Sequence, residues 1–442
     1  MSILDKFIYG TATSSYQIEG GVNEGNRDAS IWDTFCEIEG NVKNQDSGAV
    51  ACDHYHLFKE DVQLLAEMGV ESYRFSIAWP RIIDKDGVIK EDGIRFYTEL
   101  LTELKAHNIK ACATLYHWDL PQWLEDLGGW QNREVTKYFM QYAKICFDAF
   151  DDLVDAWITL NEPWCSAILG YMHGTHAPGV KDVTASLKAA HHLLLTNGMT
   201  ITYYKEEFKG SKPIGITLNL SPTYAASSRI EDELARAMYD GHLNRWFLDP
   251  IFKGYYPADM VARYAELVSD FSFIKPLDFD TIMAPNDFLG INYYNRALVS
   301  YDENSLLRNQ MAENDYPKTA MGWDISPVEF GDLIRYLRKE YTDLPILITE
   351  NGAAFYDVLE SDGTVHDVDR VNYVKQHLEM IETLNKEEMN IKGYYLWSFM
   401  DNFEWAEGYE KRFGIVYVDN KTQKRYLKDS AKFYRDYIKN RK

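Results

Sequence analysis

Two glutamates stand in the same local setting, far apart along the chain. Glu350 lies in PILITENG (residues 345–352), where Ile346, Leu347 and Ile348 precede Thr349, Glu350, Asn351 and Gly352. Glu162 lies in WITLNEP (residues 157–163), another apolar run that ends in a polar residue, a glutamate and a turn former. A continuous run of Ile and Leu reads as a strand buried on both faces. A carboxylate at the tip of such a strand is unfavourable to bury unless it is paired or hydrogen-bonded. One such residue marks no more than a strand leaving the core. Two of them, brought together on one rim of a barrel, are what a two-carboxylate enzyme would need for paired acid/base and nucleophilic work.

The elements that must position them follow from periodicity. Eight segments read as buried strands: residues 7–11, 72–79, 110–118, 156–161, 213–220, 287–294, 345–349 and 392–400. Stretches with apolar residues at three- and four-residue spacing lie between them, such as HLFKEDVQLLAEMG before the second and FGDLIRYLRKEY before the seventh. Strands alternating with helices predict a parallel (β/α)₈ TIM barrel occupying residues 1–442 as one domain. An open doubly wound sheet is the competing fold, and it usually carries a Gly-rich phosphate loop after its first strand. No G-x-G-x-x-G, Walker A or G-x-S-x-G pattern occurs. Long pieces without strand character, residues 19–50, 163–182, 302–322 and 401–421, each follow a strand, on the C-terminal face where barrel loops build active sites. The polar piece 302–322 is expected to be mobile.

Composition narrows the partners. The formal net charge is −22, which repels nucleic acid and anionic membranes and argues against both as ligands. Five cysteines without C-x-x-C spacing read as reduced thiols, and the N-terminus lacks a long apolar segment, so a cytoplasmic location is expected. Aromatic residues make up 14% of the chain, a supply of flat amphipathic faces that suits sugar clefts and large cores alike.

Seven of the eight strand tips carry hydrogen-bonding or aromatic groups. Gln17 follows the first strand, Arg74 lies in the second, and His117 and Trp118 end the third. Asn161 and Glu162 end the fourth, Asn292 and Tyr294 the sixth, and Glu350 the seventh; Trp397 lies in the eighth, which leads to Glu404 and Trp405. A polar rim with flat walls suits a polyhydroxylated ligand.

Five blocks, FIYGTATSSYQIEGG, YRFSIAWPR, ITLNEP, ILITENG and YYLWSFMDNFEW, resemble glycoside hydrolase family 1, the β-glucosidase-like retaining enzymes, over essentially the whole chain. The resemblance implies Glu350 as nucleophile and Glu162 as general acid/base. It implies Arg74 and Tyr294 as supports of Glu350 and Asn161 as a ligand of the sugar 2-hydroxyl. It further implies Gln17, His117, Glu404 and Trp405 as ligands of the outer hydroxyls and Trp397 as a stacking platform. Trp118 and Asn292 are expected beside the same cleft, and Trp323 at its entrance. No cofactor and no metal is implied. Asp53-His54-Tyr55-His56 spaces its histidines poorly for a metal, and His191-His192 is expected to be a core and surface pair.

The expected reaction is release of non-reducing-end β-D-glucosyl units from cellobiose-like oligosaccharides and aryl glucosides, with β-galactosidase or β-fucosidase side activity. A 6-phospho-β-glycosidase is disfavoured by a carboxylate, Glu404, where a phosphate would sit. Transglycosylation and an inactive sugar-binding barrel stay open at this point, and the oligomeric state is not indicated.

Overall fold

The computed structural model describes residues 2–441. Eight parallel strands close into a barrel: β1 (Ile8–Ala12), β2 (Ser72–Ser76), β3 (Lys110–Tyr116), β4 (Ala156–Asn161), β5 (Ile214–Asn219), β6 (Leu289–Asn292), β7 (Ile346–Asn351) and β8 (Ile391–Trp397). They neighbour one another in chain order, and β1 closes the ring by pairing with both β8 and β2. Helices occupy the connections, among them His54–Glu67, Glu91–Ala106, Val135–Phe150, Val183–Thr202, Pro327–Glu340 and Val368–Lys386. This is the (β/α)₈ TIM barrel that the alternation predicts.

All eight expected strands are present, with edges that differ for local reasons. β2 stops at Ser76 rather than at residue 79, because Trp79-Pro80-Arg81 turns into a 3-10 helix and Pro80 has no N–H for a ladder. β7 runs two residues further than expected and includes Glu350 and Asn351. β8 ends at Trp397 rather than at residue 400. Within residues 302–322 a short strand is present. Asn309–Met311 pairs with Ala297–Tyr301, which pairs with Thr223–Ala225 in a small sheet outside the barrel.

The barrel is filled by side chains at alternate positions. Ile8 and Ala12 of β1, Ala156 and Ile158 of β4, and Tyr395 and Trp397 of β8 belong to one inner apolar cluster with Cys112 and Leu347. Gly10 lies between Ile8 and Ala12, and a Cβ there would stand 2.6 Å from both Ser72 O and the Tyr395 ring. Glycine therefore leaves the room that Tyr395 fills. Gly352, just past β7, approaches the β8 backbone so closely that a Cβ would meet Trp397 O at 1.5 Å. That contact explains the glycine after Glu350-Asn351. A second, larger apolar layer lies between strands and helices. Within it Val183–Thr202 is buried along most of its length and is capped by Asp182, which accepts from Ala185 N at 2.7 Å. Among the described residues, no helix is long and apolar enough to cross a membrane.

Candidate active site

The C-terminal ends of the strands converge on a cleft of about 430 Å³ whose lining includes Glu162, Asn292, Tyr294, Glu350, Trp397 and Glu404. Both glutamates sit where the strand ladder breaks step. The β4–β5 register shifts between Ile158 and Asn161, and the β6–β7 register between Ile348 and Glu350. Such irregularities re-aim side chains and recur beside active sites. Glu162 follows β4 in a left-handed backbone conformation, φ 46°, and Trp118 (75°) and Trp405 (50°) share that region on the same rim. Non-glycine residues there are strained, and surrounding structure must hold them. For Glu162 the hold includes its N–H to Thr217 O at 2.9 Å.

The two carboxyls have different partners. Arg74, fully buried, donates from one guanidinium nitrogen to Glu350 Oε1 at 2.5 Å and from the other to Asn161 Oδ1 at 2.7 Å. Tyr294 OH donates to Glu350 Oε2 at 2.5 Å. Among the described residues, no cation contacts Glu162. Its Oε1 accepts from Asn292 Nδ2 at 2.7 Å and its Oε2 from the Cys165 thiol at 3.2 Å. Asn292 is oriented in turn: its Oδ1 accepts from Thr349 Oγ1 at 2.7 Å, and its amide also reaches Asn161 Oδ1 at 3.0 Å. Arg74, Asn161 and Asn292 thus form a continuous hydrogen-bonded bridge between the two glutamates.

Electrostatics separates the pair. Burial, followed by the charge of Glu350, pushes the Glu162 carboxyl up to about 8. Burial also raises Glu350, against the Arg74 charge and donors from Tyr294, Arg74 and Asn292, all of which favour its ionised form. The Arg74 and Tyr294 contacts thus favour the charged form at Glu350, while burial beside that charge favours the protonated form at Glu162.

The other expected residues fall into two layers. Trp397, Trp405, Trp118, His117, Glu404 and Trp323 line the cleft. Burial, then the Arg74 charge, pushes His117 well below the ordinary histidine range, so the ring is neutral. Its Nε2 meets Asn161 Nδ2 at 3.1 Å and accepts, which puts the ring proton on Nδ1, a buried atom without a protein partner. Trp397 stacks near His117 with ring centroids 5.9 Å apart. Trp323 packs against Tyr294 at the half-buried edge, 5.3 Å between centroids.

Gln17 and Asn161 lie one layer behind the cleft wall. Gln17 Nε2 donates to Phe403 O at 2.9 Å and Asn402 Oδ1 at 3.1 Å, and it reaches Glu404 Oε2 at 3.4 Å. Burial, then the charges of Glu350, Glu162 and Glu407, pushes the Glu404 carboxyl well above its ordinary range. Cys165 escaped the sequence reading; its position three residues after Glu162, at the start of a helix, is the signal that could have found it.

The histidines of the two other candidate groups bond protein partners away from the cleft. His54 bonds Asp61 at 2.8 Å, and His56 points outward to Asp53 and Glu24. His191 and His192 are both buried, which corrects the expected core and surface split. His191 bonds Asp278 and Tyr256, and His192 bonds Trp130 O.

The profile described as Glycosyl hydrolase family 1 matches residues 2–442. The chain is 44% identical over 436 residues to the 1,4-beta-D-glucan glucohydrolase of Thermotoga neapolitana, covering 98% of this chain and 97% of that protein. It is 40% identical over 455 residues to the bifunctional beta-D-glucosidase/beta-D-fucosidase of Bifidobacterium breve, covering 98% and 97%. The crystal structure of the GH1 beta-glucosidase from Exiguobacterium antarcticum B7 superposes with a TM-score of 0.98 at 53% identity, covering 100% of this chain and 99% of that one. With that profile, those relatives and the two-glutamate cleft together, the chain belongs to glycosyl hydrolase family 1, a family of retaining glycosidases.

Proposed function

We propose that this chain is a retaining β-glucosidase, with Glu350 as nucleophile and Glu162 as general acid/base. The observation that carries this reading is the unequal pairing of two glutamates in one cleft, one held by a guanidinium and a phenol, the other by an amide and a thiol. In the first step Glu350 attacks the anomeric carbon while the bond to the leaving oxygen breaks, and the Glu162 proton passes to that oxygen. Forming the ester removes the charge on Glu350 that had raised Glu162. Glu162 can then stay ionised, take a proton from water and direct the hydroxide to the anomeric carbon, which releases Glu350.

The substrate reading rests on the cleft wall. Trp397 supplies a flat face for the sugar, and the His117 Nδ1 proton and the Glu404 carboxyl supply hydrogen bonds to hydroxyls. The cations that could recognise a 6-phosphate are engaged elsewhere: Lys411 donates to Ala320 O and Arg412 to Asp401, each at 2.7 Å. A neutral glucosyl unit from cellobiose-like oligosaccharides or aryl glucosides therefore fits better than its 6-phosphate. The likeness to a bifunctional glucosidase/fucosidase supports side activity on β-fucosides. The same reading takes the barrel as one domain, and five buried free cysteines agree with a cytoplasmic location.

The test is Glu350→Gly assayed on 2,4-dinitrophenyl β-glucoside with and without azide. Hydrolysis falls by at least about 10⁴-fold, and azide restores turnover with α-glucosyl azide as product. Normal hydrolysis, or a β-azide, would remove Glu350 from the role.

A further inference from the structure

The wall of the cleft beside Glu162 contains a group outside the chemistry assigned so far. Cys165 opens a widened, π-type helical turn, Cys165–His173. Its N–H bonds the Glu162 carbonyl at 3.0 Å, and its thiol meets Glu162 Oε2 at 3.2 Å. The left-handed backbone of Glu162 turns the carboxyl back over this turn, so one residue grips the glutamate by both main chain and side chain. With Asn292 on Oε1, each carboxyl oxygen has one protein donor.

The two donors differ in kind. An amide is an ordinary hydrogen-bond donor, whereas a thiol is a weak one. Burial, then the neighbouring Glu162 charge, raises the thiol well above its ordinary range, so it stays S–H and donates. A strong donor on Oε2 would favour the carboxylate and strip the acid of its proton. An apolar group would leave the carboxyl free to turn. We propose that Cys165 is a positioning residue for the general acid, its S–H fixing the Glu162 carboxyl toward the scissile oxygen while binding too weakly to displace the proton.

This inference rests on Glu162 being the acid/base. The other titratable groups facing Glu162 are Glu350, Arg74, Tyr294 and Glu404. His117 and His176 line the same cleft and are held neutral, His176 by burial that pushes it down to about 4.

The experiment records pH profiles of kcat/KM for the unaltered enzyme, Cys165→Ser, Cys165→Ala and Glu162→Gln. Phenyl β-glucoside, whose leaving group needs a proton, is compared with 2,4-dinitrophenyl β-glucoside, whose leaving group does not. Serine is expected to move the alkaline limb down by about one pH unit, and alanine to move it up by about half a unit. Alanine also loses about tenfold on the phenyl glucoside and less than about twofold on the dinitrophenyl glucoside. Coincident limbs in the cysteine variants, with the limb lost in Glu162→Gln, would overturn the positioning role and leave the acid assignment standing. A Glu162→Gln enzyme that keeps both the limb and its rate on phenyl glucoside would overturn the two together.

Discussion

Two buried charge clusters in this molecule are built to opposite rules. Behind the loops that follow β7 and β8, Arg370, Arg412 and Lys428 meet Asp357, Asp367 and Asp401, three cations to three carboxylates. Arg370 grips Asp357 through both nitrogens at 3.0 and 2.9 Å, and Lys428 joins Asp357 to Asp401 at 2.5 and 2.7 Å. Against the upward push of burial, the Lys428 and Arg370 charges hold the Asp357 carboxyl below its ordinary range. In the cleft, of Glu162, Glu350 and Glu404 only Glu350 has a direct cation partner among the described residues, Arg74. Burial, then the Glu350 charge, raises the Glu162 carboxyl, and no contacting cation offsets them among the described residues. Balance makes a brace, and imbalance makes a site whose carboxyls can exchange protons with a substrate.

Breaking the unbalanced cluster at its one cation should have the largest effect. Arg74→Met should lower kcat/KM by about 10²–10³-fold and move the acid limb up by about one to three pH units, because Glu350 loses the charge that favours its ionised form. Stopped assays across pH 4–8 read both. An unchanged acid limb would separate Arg74 from Glu350.

The balanced cluster should respond in stability instead. Lys428→Met leaves Asp357 and Asp401 short of a buried partner, at about 3–5 kcal/mol. Urea unfolding measures it, and turnover well below the transition should change far less than in the Arg74 variant. Parity between the two variants in both assays would erase the distinction.

The smallest effect concerns pH and stability. The Glu162 carboxyl is raised in the fold from 4.5 to about 8, so the folded state binds the proton more tightly than the unfolded one. Stability is therefore lost as pH rises from 4.5 to 8. Asp357 has the opposite sign: its contribution is present above pH 3.8 and is lost as pH falls through the lowered folded value. Glu162→Gln should thus raise unfolding stability by about 0.5–2 kcal/mol at pH 8 and little at pH 4.5. Equal or lower stability at pH 8 would contradict the assignment of a strained, proton-hungry carboxyl.

The legible parts were those fixed by local pattern. Ile346–Ile348 and Trp157–Leu160 announce strands because a doubly covered strand has no polar face to alternate. The strand tips put Glu162 and Glu350 on one rim by topology alone. What escaped depends on contacts between distant segments. Asn309–Met311 looks like loop because its pairing partners lie elsewhere in the fold. Gln17 and Asn161 were legible as polar residues at strand tips, but not their bonds to Phe403 O and Arg74, which come from distant segments. The Cys165 contact needs the left-handed turn at Glu162, and nothing in glutamate's own preferences forecasts that conformation.

The ring of strands closes between its first member and its last, and Gln17 reaches Asn402 and Phe403 across nearly the full length of the polypeptide. The end of the cleft lined by Glu404 and Trp405 is consequently the last part a growing chain can assemble. On the ribosome, the two glutamates emerge well before the residues that would let them meet a sugar. A prematurely terminated product would lack β8 and the Trp397, Glu404 and Trp405 that follow from it.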